Sequence, residues 1–396
     1  MLSLKSTTAL MVTALAVWWL VSSQELLQRL RVTSSAVTTA ENSPQRVFVD
    51  GSNMYNPSGG PEALLQLSRA FHSFLPQSTF MIVYKDNSIN WDVVKFFKYI
   101  MGDKSHLTES KHPQFKAEYH DTNSIPLARR SDLKAGDILI IPEIFLCPDD
   151  LLARGVEVYM WILGANEKAL ASISRSCCEI LSHNYWLSQH LGVNISATSV
   201  LRPYITPSLV AHAQASVNTK EDVVLIDNDS PARIIHEVKS ICHEISCTAI
   251  LVKGFTRKEL SVLYKRAKVV IDWCMRGNER MPIEAVLNGA LLLSSDCESI
   301  QDKRDFPVPE RNIMPASLTN SDAAAETGAG STLHSSLKTA LERLIKNYHS
   351  EFASYEPMRV LHGKNISAHS LEKQTYDWYY THRHASAAPS PGCTTN

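Results

Sequence analysis

Two of the five carboxylates and four of the eight basic residues in 253–296 are the candidates for chemistry. Glu279 and Glu284 are the carboxylates; Lys253, Arg257, Arg276 and Arg280 are the bases. A carboxylate is an apt acceptor for paired hydroxyls such as those of a ribose. Basic side chains and helix N-termini stabilise negative charge building on a phosphate group. Lys253 ends an expected strand and ranks first as a phosphate partner. Arg280, between the two carboxylates, ranks next. In the other half of the chain Gly59-Gly60-Pro61-Glu62 follows a strand and opens a helix. Glycine adds no side chain, so backbone amides there can approach a phosphate or a sugar closely.

The elements around these residues are legible from pattern. Thr256 and Glu259 have capping-box spacing, so a helix starts there. Leu260, Leu263, Tyr264 and Ala267 give that helix one apolar face. Val269, Val270 and Ile271 form a short buried strand ending at Asp272. Pro282 suits the first turn of the next helix and Gly289 its end. Ala290 to Leu293 supply the following strand. Glu279 and Glu284 therefore sit at or just inside a helix N-terminus, at the carboxyl edge of a parallel sheet, where open α/β folds bind ligands.

This segment resembles the donor-binding half of glycosyltransferases with the GT-B fold, in particular the group-one (glycosyltransferase family 4-like) family. The residues that carry the resemblance are Gly254-Phe255, Leu263-Tyr264, Ala267, Glu284-Ala285 and Gly289. It is strongest over residues 250–296 and looser over the rest of 46–310. The family's first glutamate falls where this chain has Arg276, and its proline stands one residue earlier than Pro282. Glu279 is the candidate replacement for the missing carboxylate. The resemblance implies an α/β fold of two Rossmann-like domains facing a central cleft. It implies catalytic roles for Glu279 and Glu284, and donor binding by Gly59, Gly60, Lys253, Gly254, Arg280 and Glu284. It further implies a nucleotide-sugar donor as co-substrate with no bound cofactor or metal, a glycan, protein or lipid acceptor, and retention of anomeric configuration.

At 396 residues the chain is long enough for two domains with separate cores. Its 39 Lys and Arg against 40 Asp and Glu leave a net charge of -1, which gives no electrostatic sign of a nucleic-acid partner. Near the N-terminus, Lys5 precedes an uncharged apolar run, residues 7–23, with Trp18 and Trp19 where an interfacial belt would lie. The expectation is a signal anchor over 1–23 that holds a single-pass protein in the Golgi or endoplasmic reticulum membrane with its catalytic part in the lumen. Cleavage near Val21-Ser22-Ser23 would make the protein secreted. Asn-x-Ser sequons at Asn194, Asn228 and Asn365 are compatible with either outcome. None of the eight cysteines shows zinc-site spacing. Cys242 and Cys247 are placed to bridge a helix end to a strand. For any one pair the general expectation is free, buried thiols.

Further along, residues 24–45 read as a polar stem. Strands are expected at 47–49, 80–84, 137–141, 156–163 and 179–182, with a helix from Pro61 that turns Leu64, Leu67, Phe71 and Phe74 to one side. The alternation pauses over 205–221 and restarts with strands at 223–226 and 248–252. These breaks set the domains at 46–208 (acceptor side) and 209–355 (nucleotide-sugar side). A loose loop is expected at 316–333 and a helix at 333–355. A last helix is expected at Ala368 to Tyr380, within a C-terminal helix segment 356–383 that crosses back to the first domain, before a tail at 384–396.

Three alternatives compete with this reading. Asp227-Asn228-Asp229 after a strand has the form of the metal-binding Asp-x-Asp of GT-A enzymes. Val47-Phe48-Val49-Asp50 looks like the opening strand of NYN/PIN-like metal-dependent nucleases. The third alternative is a transferase that has lost turnover and become a non-catalytic lumenal nucleotide- or glycan-binding protein, since the first glutamate of the pattern is missing.

Overall fold

The strand-forming stretches are short runs of Val, Ile and Leu, apolar on both faces, as strands of a sheet covered on two sides must be. A computed structural model describes residues 45–51, 59–82, 124–164, 178–192, 199–210, 217–275, 277, 279–318 and 330–385. These residues form two five-stranded sheets with every strand pairing parallel. The chain is thus an α/β protein with two Rossmann-like lobes. The apolar run at 1–23 and the stem at 24–44 lie outside the described residues. Among those described, no helix is long and apolar enough to cross a membrane.

The first lobe contains β1 (Val47–Asp50), α1 (Gly59–Phe74), β2 (Thr79–Ile82), β3 (Ile138–Pro142), α2 (Asp149–Ala153), β4 (Glu157–Ile162), β5 (Glu179–Ser182) and α3 (Tyr185–His190), with sheet order β2-β1-β3-β4-β5. The second contains β6 (Glu221–Asp227), α4 (Ala232–Ile245), β7 (Thr248–Val252), α5 (Arg257–Arg266), β8 (Ala267–Asp272), α6 (Arg280–Leu287), β9 (Leu291–Ser295), β10 (Ile313–Met314) and α7 (Gly330–Lys346), with order β10-β9-β8-β6-β7. Taken in chain order, both sheets are wound alike, and each reverses direction between its first and third strands. That reversal leaves a crevice outside the carboxyl ends, at β1 and β3 in one lobe and at β6 and β8 in the other.

Side-chain alternation along the strands divides the first core in two. Val47, Val49, Ile138 and Ile140 face α1, whereas Phe48, Leu139 and Ile141 face the side that holds Leu151 of α2 and Leu187 of α3. In the second lobe, β9 is buried throughout, β8 at all but one residue and β6 over its central four residues, and they form one core with α4, α6 and α7.

The last stretch consists of α8 (Glu356–Gly363) and α9 (Ala368–Ala385), the second starting where the last helix was expected. The second reaches Ala385, inside the residues expected to be tail. It packs on α1 in the first lobe: Trp378 meets Phe71 edge-on at 5.8 Å between centroids and Tyr159 at 4.9 Å. The expected single helix over 333–355 is also broken, at Asn347, where φ is -102° and ψ is 26°. Asparagine gives up helical geometry readily because its side chain competes for backbone hydrogen bonds.

Cysteine chemistry departs from the expectation of free thiols. The described cysteines form three disulfides, Cys147–Cys178, Cys242–Cys247 and Cys274–Cys297. Spacing had suggested only the second. The other two join segments 31 and 23 residues apart in sequence that only the tertiary fold brings together. Cys147–Cys178 ties the loop after β3 to the start of β5. Cys274–Cys297 ties the loop after β8 to the turn after β9.

Trp378 is 3% exposed and seals the last helix onto the first lobe. Trp378→Ala is expected to cost about 3–5 kcal/mol of stability in urea unfolding; a loss below about 1 kcal/mol would mean that the helix is not docked this way.

Candidate functional site

The carboxyl ends of both sheets open onto one cleft of about 540 Å³. Leu163 after β4 and His183 after β5 line it from the first lobe; Asp227 of β6, Asp229 just beyond and Val252 of β7 line it from the second. The first turns of three helices reach it as well: Gly60 and Glu62 of α1, Thr256 and Arg257 at the start of α5, and Glu279, Arg280 and Glu284 at the start of α6. Helix N-termini present unpaired N–H groups and the positive end of the helix dipole, so their convergence suits an anion. The α5 start is fixed by the expected capping box, in which the Thr256 side chain accepts from Glu259 N–H and the Glu259 carboxylate accepts from Thr256 N–H at 2.7 Å.

An ion cluster spans the cleft. Glu62, from the first lobe, binds Arg257 through Oε1 and Arg280 through Oε2, and both arginines belong to the second lobe. Arg280 continues to Glu284, with Nη2 3.0 Å and Nε 3.1 Å from Oε1, while Arg257 donates to Thr206 Oγ1 at 3.1 Å. The carboxylate side chains of Glu62 and Glu284 are each only 5% exposed. Tyr264 also hydrogen-bonds Glu284. Burial still raises the Glu284 pKa above its ordinary value, against the opposing pull of Arg280 and Arg257. Glu284 is therefore no solvated first-turn residue that merely favours the helix dipole.

The floor of the second lobe is acidic. Asp227 and Asp272 end the paired strands β6 and β8, whose register matches Ile226 with Ile271 just before them. Burial first, then the charge of Asp227, lifts Asp272 well above the ordinary carboxylate range; burial and Asp229 raise Asp227. Like charges near each other in poor solvent resist ionisation, which is the direction of both shifts. Among the described residues no group of three or more His, Cys, Asp or Glu side chains is arranged to hold a metal ion.

The lobes also touch through backbone. Gly164, just after β4, bridges Gly277 in the loop that leads to Glu279. A Cβ on Gly277 would stand 2.9 Å from the Leu163 carbonyl oxygen and 3.1 Å from His183 Cε1, so this approach needs glycine. On the first-lobe side, the Glu143 carboxylate accepts from Leu163 N–H at 3.1 Å, and burial pushes its pKa up to about 7. His183 Nδ1 donates to the Ile162 carbonyl at 2.9 Å, and burial takes the ring pKa from 6.5 down to about 3. The imidazole is thus neutral near pH 7, with Nε2 as its acceptor nitrogen.

The structure brings Gly60, Glu279, Arg280 and Glu284 to the cleft. It does not bring Lys253 or Gly254, which are exposed beyond the end of β7, an edge strand whose last residue, Val252, is the one that reaches the wall. Gly254 adopts φ +76°, a turn conformation that explains glycine there without a ligand. Gly59 starts α1, and Arg276 lies outside the described residues. Glu279 occupies the N-cap position of α6 with no capping hydrogen bond from its side chain. Sequence reasoning missed the parts played by Glu62, Tyr264 and His183, and the pairing of Arg257, a candidate phosphate partner, with Glu62. Glu62 was visible as the acid after Gly-Gly and Arg257 as the first residue of a capped helix, but nothing in the spacing paired them. Tyr264 read as one of a helix's apolar residues, and His183 had no signal.

Asp50, the residue of the nuclease alternative, is fully buried at the end of β1, with Arg130 Nη2 3.4 Å from its Oδ2.

No protein-family model matches the chain, and no curated protein matches its sequence. Solved structures do resemble it. The N-terminal domain of trehalose-6-phosphate phosphatase from Candida albicans has a TM-score of 0.52 at 12% identity, over 87% of this chain and 98% of that one. A glycosyltransferase from Rickettsia africae has a TM-score of 0.45 at 12% identity, over 86% and 99%. The catalytic domain of starch synthase IV from Arabidopsis thaliana has 0.40 at 9%, over 86% and 99%. Only the first similarity carries weight, and at that identity it concerns the fold alone.

Since the folded pKa of His183 lies below its unfolded value, the unfolded chain binds a proton there between about pH 6.5 and pH 3 that the folded chain refuses. Stability from this residue is complete above pH 6.5 and is lost as pH falls through that window. His183→Gln should lose less stability on acidification than the wild type, by about 1.4 kcal/mol per pH unit in urea unfolding at a series of pH values. Parallel profiles would show that the ring is not buried neutral.

Proposed function

We propose that this protein is a glycosyltransferase that binds a nucleotide-sugar donor in the cleft between its lobes. One observation carries the reading: Arg257, Arg280 and Glu284 converge on the start of α6, at the carboxyl edge of the second sheet. The two guanidinium groups suit a diphosphate, which Arg recognises in a bidentate manner. Glu284 suits the hydroxyls of the ribose. Three helix N-termini add to the stabilisation of the departing diphosphate. The resemblance of residues 250–296 to the group-one family supports retention of configuration.

The acceptor is a glycan, protein or lipid that approaches over the first lobe. Disulfides form and persist in oxidising compartments, so the three bridges favour a lumenal or secreted protein. The uncharged run before residue 24 supports a membrane anchor. Asn228, exposed in the turn after β6, is an accessible sequon on the cleft side.

A second reading has its own support. The cleft is lined by five carboxylates, Glu62, Asp227, Asp229, Glu279 and Glu284, against the two arginines. That balance resists a dianion and favours a protein that binds hydroxyl-rich ligands without turnover.

Thermal-shift measurements with uridine, guanosine and adenosine diphosphates test the donor reading, because a ligand bound only to the native state adds about 2.7 kcal/mol at a hundredfold excess over Kd. One of the three should raise Tm, and none doing so at millimolar concentration contradicts the proposal. Glu284→Ala should leave the fold intact and lower turnover by orders of magnitude. Near-normal turnover would remove Glu284 from the mechanism, and ligand binding with no turnover in the wild type would select the second reading.

A further inference from the structure

Both oxygens of the Glu62 carboxylate are engaged by the two arginines that face the cleft. The arrangement is buried: the Glu62 side chain is 5% exposed, Arg257 16% and Arg280 20%. Glu62 stands in the first turn of α1, in the lobe opposite the arginines. With Glu284 on the far side of Arg280, the four groups sum to zero charge. A diphosphate entering the cleft needs the same guanidinium N–H groups that Glu62 now takes, and it arrives carrying the same sign of charge.

From this geometry we infer that Glu62 is a latch: a built-in carboxylate that occupies the place of the donor's phosphates and is exchanged for them on binding. The inference rests on the donor reading above and adds to it a competitor within the protein. Glu62 cannot stay buried after its partners turn to the phosphates, because a carboxylate stripped of its counter-charges is costly in a desolvated site. It must turn outward, and since it belongs to the other lobe, its release loosens the lobes as the donor enters. The latch also sets specificity. Ligands with enough negative charge to outbid a carboxylate open the cleft, whereas a free nucleoside gains nothing from the exchange.

The opposite role is equally concrete: Glu62 would hold the arginines in place for the ligand, and its loss would weaken binding. The sign of one effect separates the two. Calorimetric titration of wild type and Glu62→Gln with uridine, guanosine and adenosine diphosphates, each beside its free nucleoside, reads it directly. The latch predicts that Glu62→Gln binds the preferred diphosphate about tenfold more tightly, because one like charge has left its immediate surroundings. Affinity for the nucleoside should stay unchanged. Equal or weaker diphosphate binding by the variant overturns the latch while leaving the donor reading in place, and so does equal tightening for the nucleoside, which would signal a generally loosened cleft. If no diphosphate binds either protein at millimolar concentration, the donor reading and the latch fall together. Amide exchange on the wild type gives an answer that needs no variant. A saturating diphosphate should speed exchange in the N-terminal half of α1 as Glu62 is released; slower or unchanged exchange there means that the ligand adds to an intact pair, and overturns the latch.

Discussion

A buried carboxylate from one lobe gripped by two arginines from the other is the constraint on which this structure turns. Ion pairs in poor solvent repay their desolvation only when each partner is well met, and removing one partner leaves the rest exposed to the full cost. Glu62, Arg257, Arg280 and Glu284 meet that condition together. The residues that present them are the first turns of three helices, which is why the sequence must begin those helices at these particular places. Thr256 and Glu259 fix one start by capping it.

Around this cluster the protein spends much of its covalent and conformational specificity on loops at the carboxyl edges. The loop leaving β8 carries Trp273 and Met275 into the core, turns through Cys274 at φ +61°, and is tied by that residue to Cys297. It then touches the first lobe at Gly277. The loop after β3 is anchored by Cys147–Cys178 and holds the Leu163 backbone through Glu143. Both lobes therefore offer pinned edges to the cleft. Asp227 and Asp272 end β6 and β8, where the second sheet reverses its winding, and burial raises both above the ordinary carboxylate value.

The elements were mostly legible. Apolar strand runs, the Thr256–Glu259 cap and the Pro282–Gly289 helix stand close to where periodicity and capping put them, because such signals are local and strongly coded. Glu279, Arg280 and Glu284 were legible as a group for the same reason, lying within one helix start. What escaped was contact between distant segments. Nothing in the spacing joins Glu62 to Arg257 and Arg280, Cys274 to Cys297, or Gly164 to Gly277; those meetings depend on how two sheets are set against each other. Lys253 shows the converse. It ends a strand at the correct edge of the sheet, yet that strand is the outermost one and the lysine projects into solvent. Strand order, which a single sequence does not state, decides which strand ends can reach a cleft.

The central claim is that charge contacts between lobes hold the cleft together. A double-mutant cycle of Glu62→Gln and Arg280→Gln, read by urea unfolding, measures it most directly, since each residue sits in a different lobe. The account predicts a coupling of about 1–3 kcal/mol between them. Losses that add to within about 0.5 kcal/mol would contradict it.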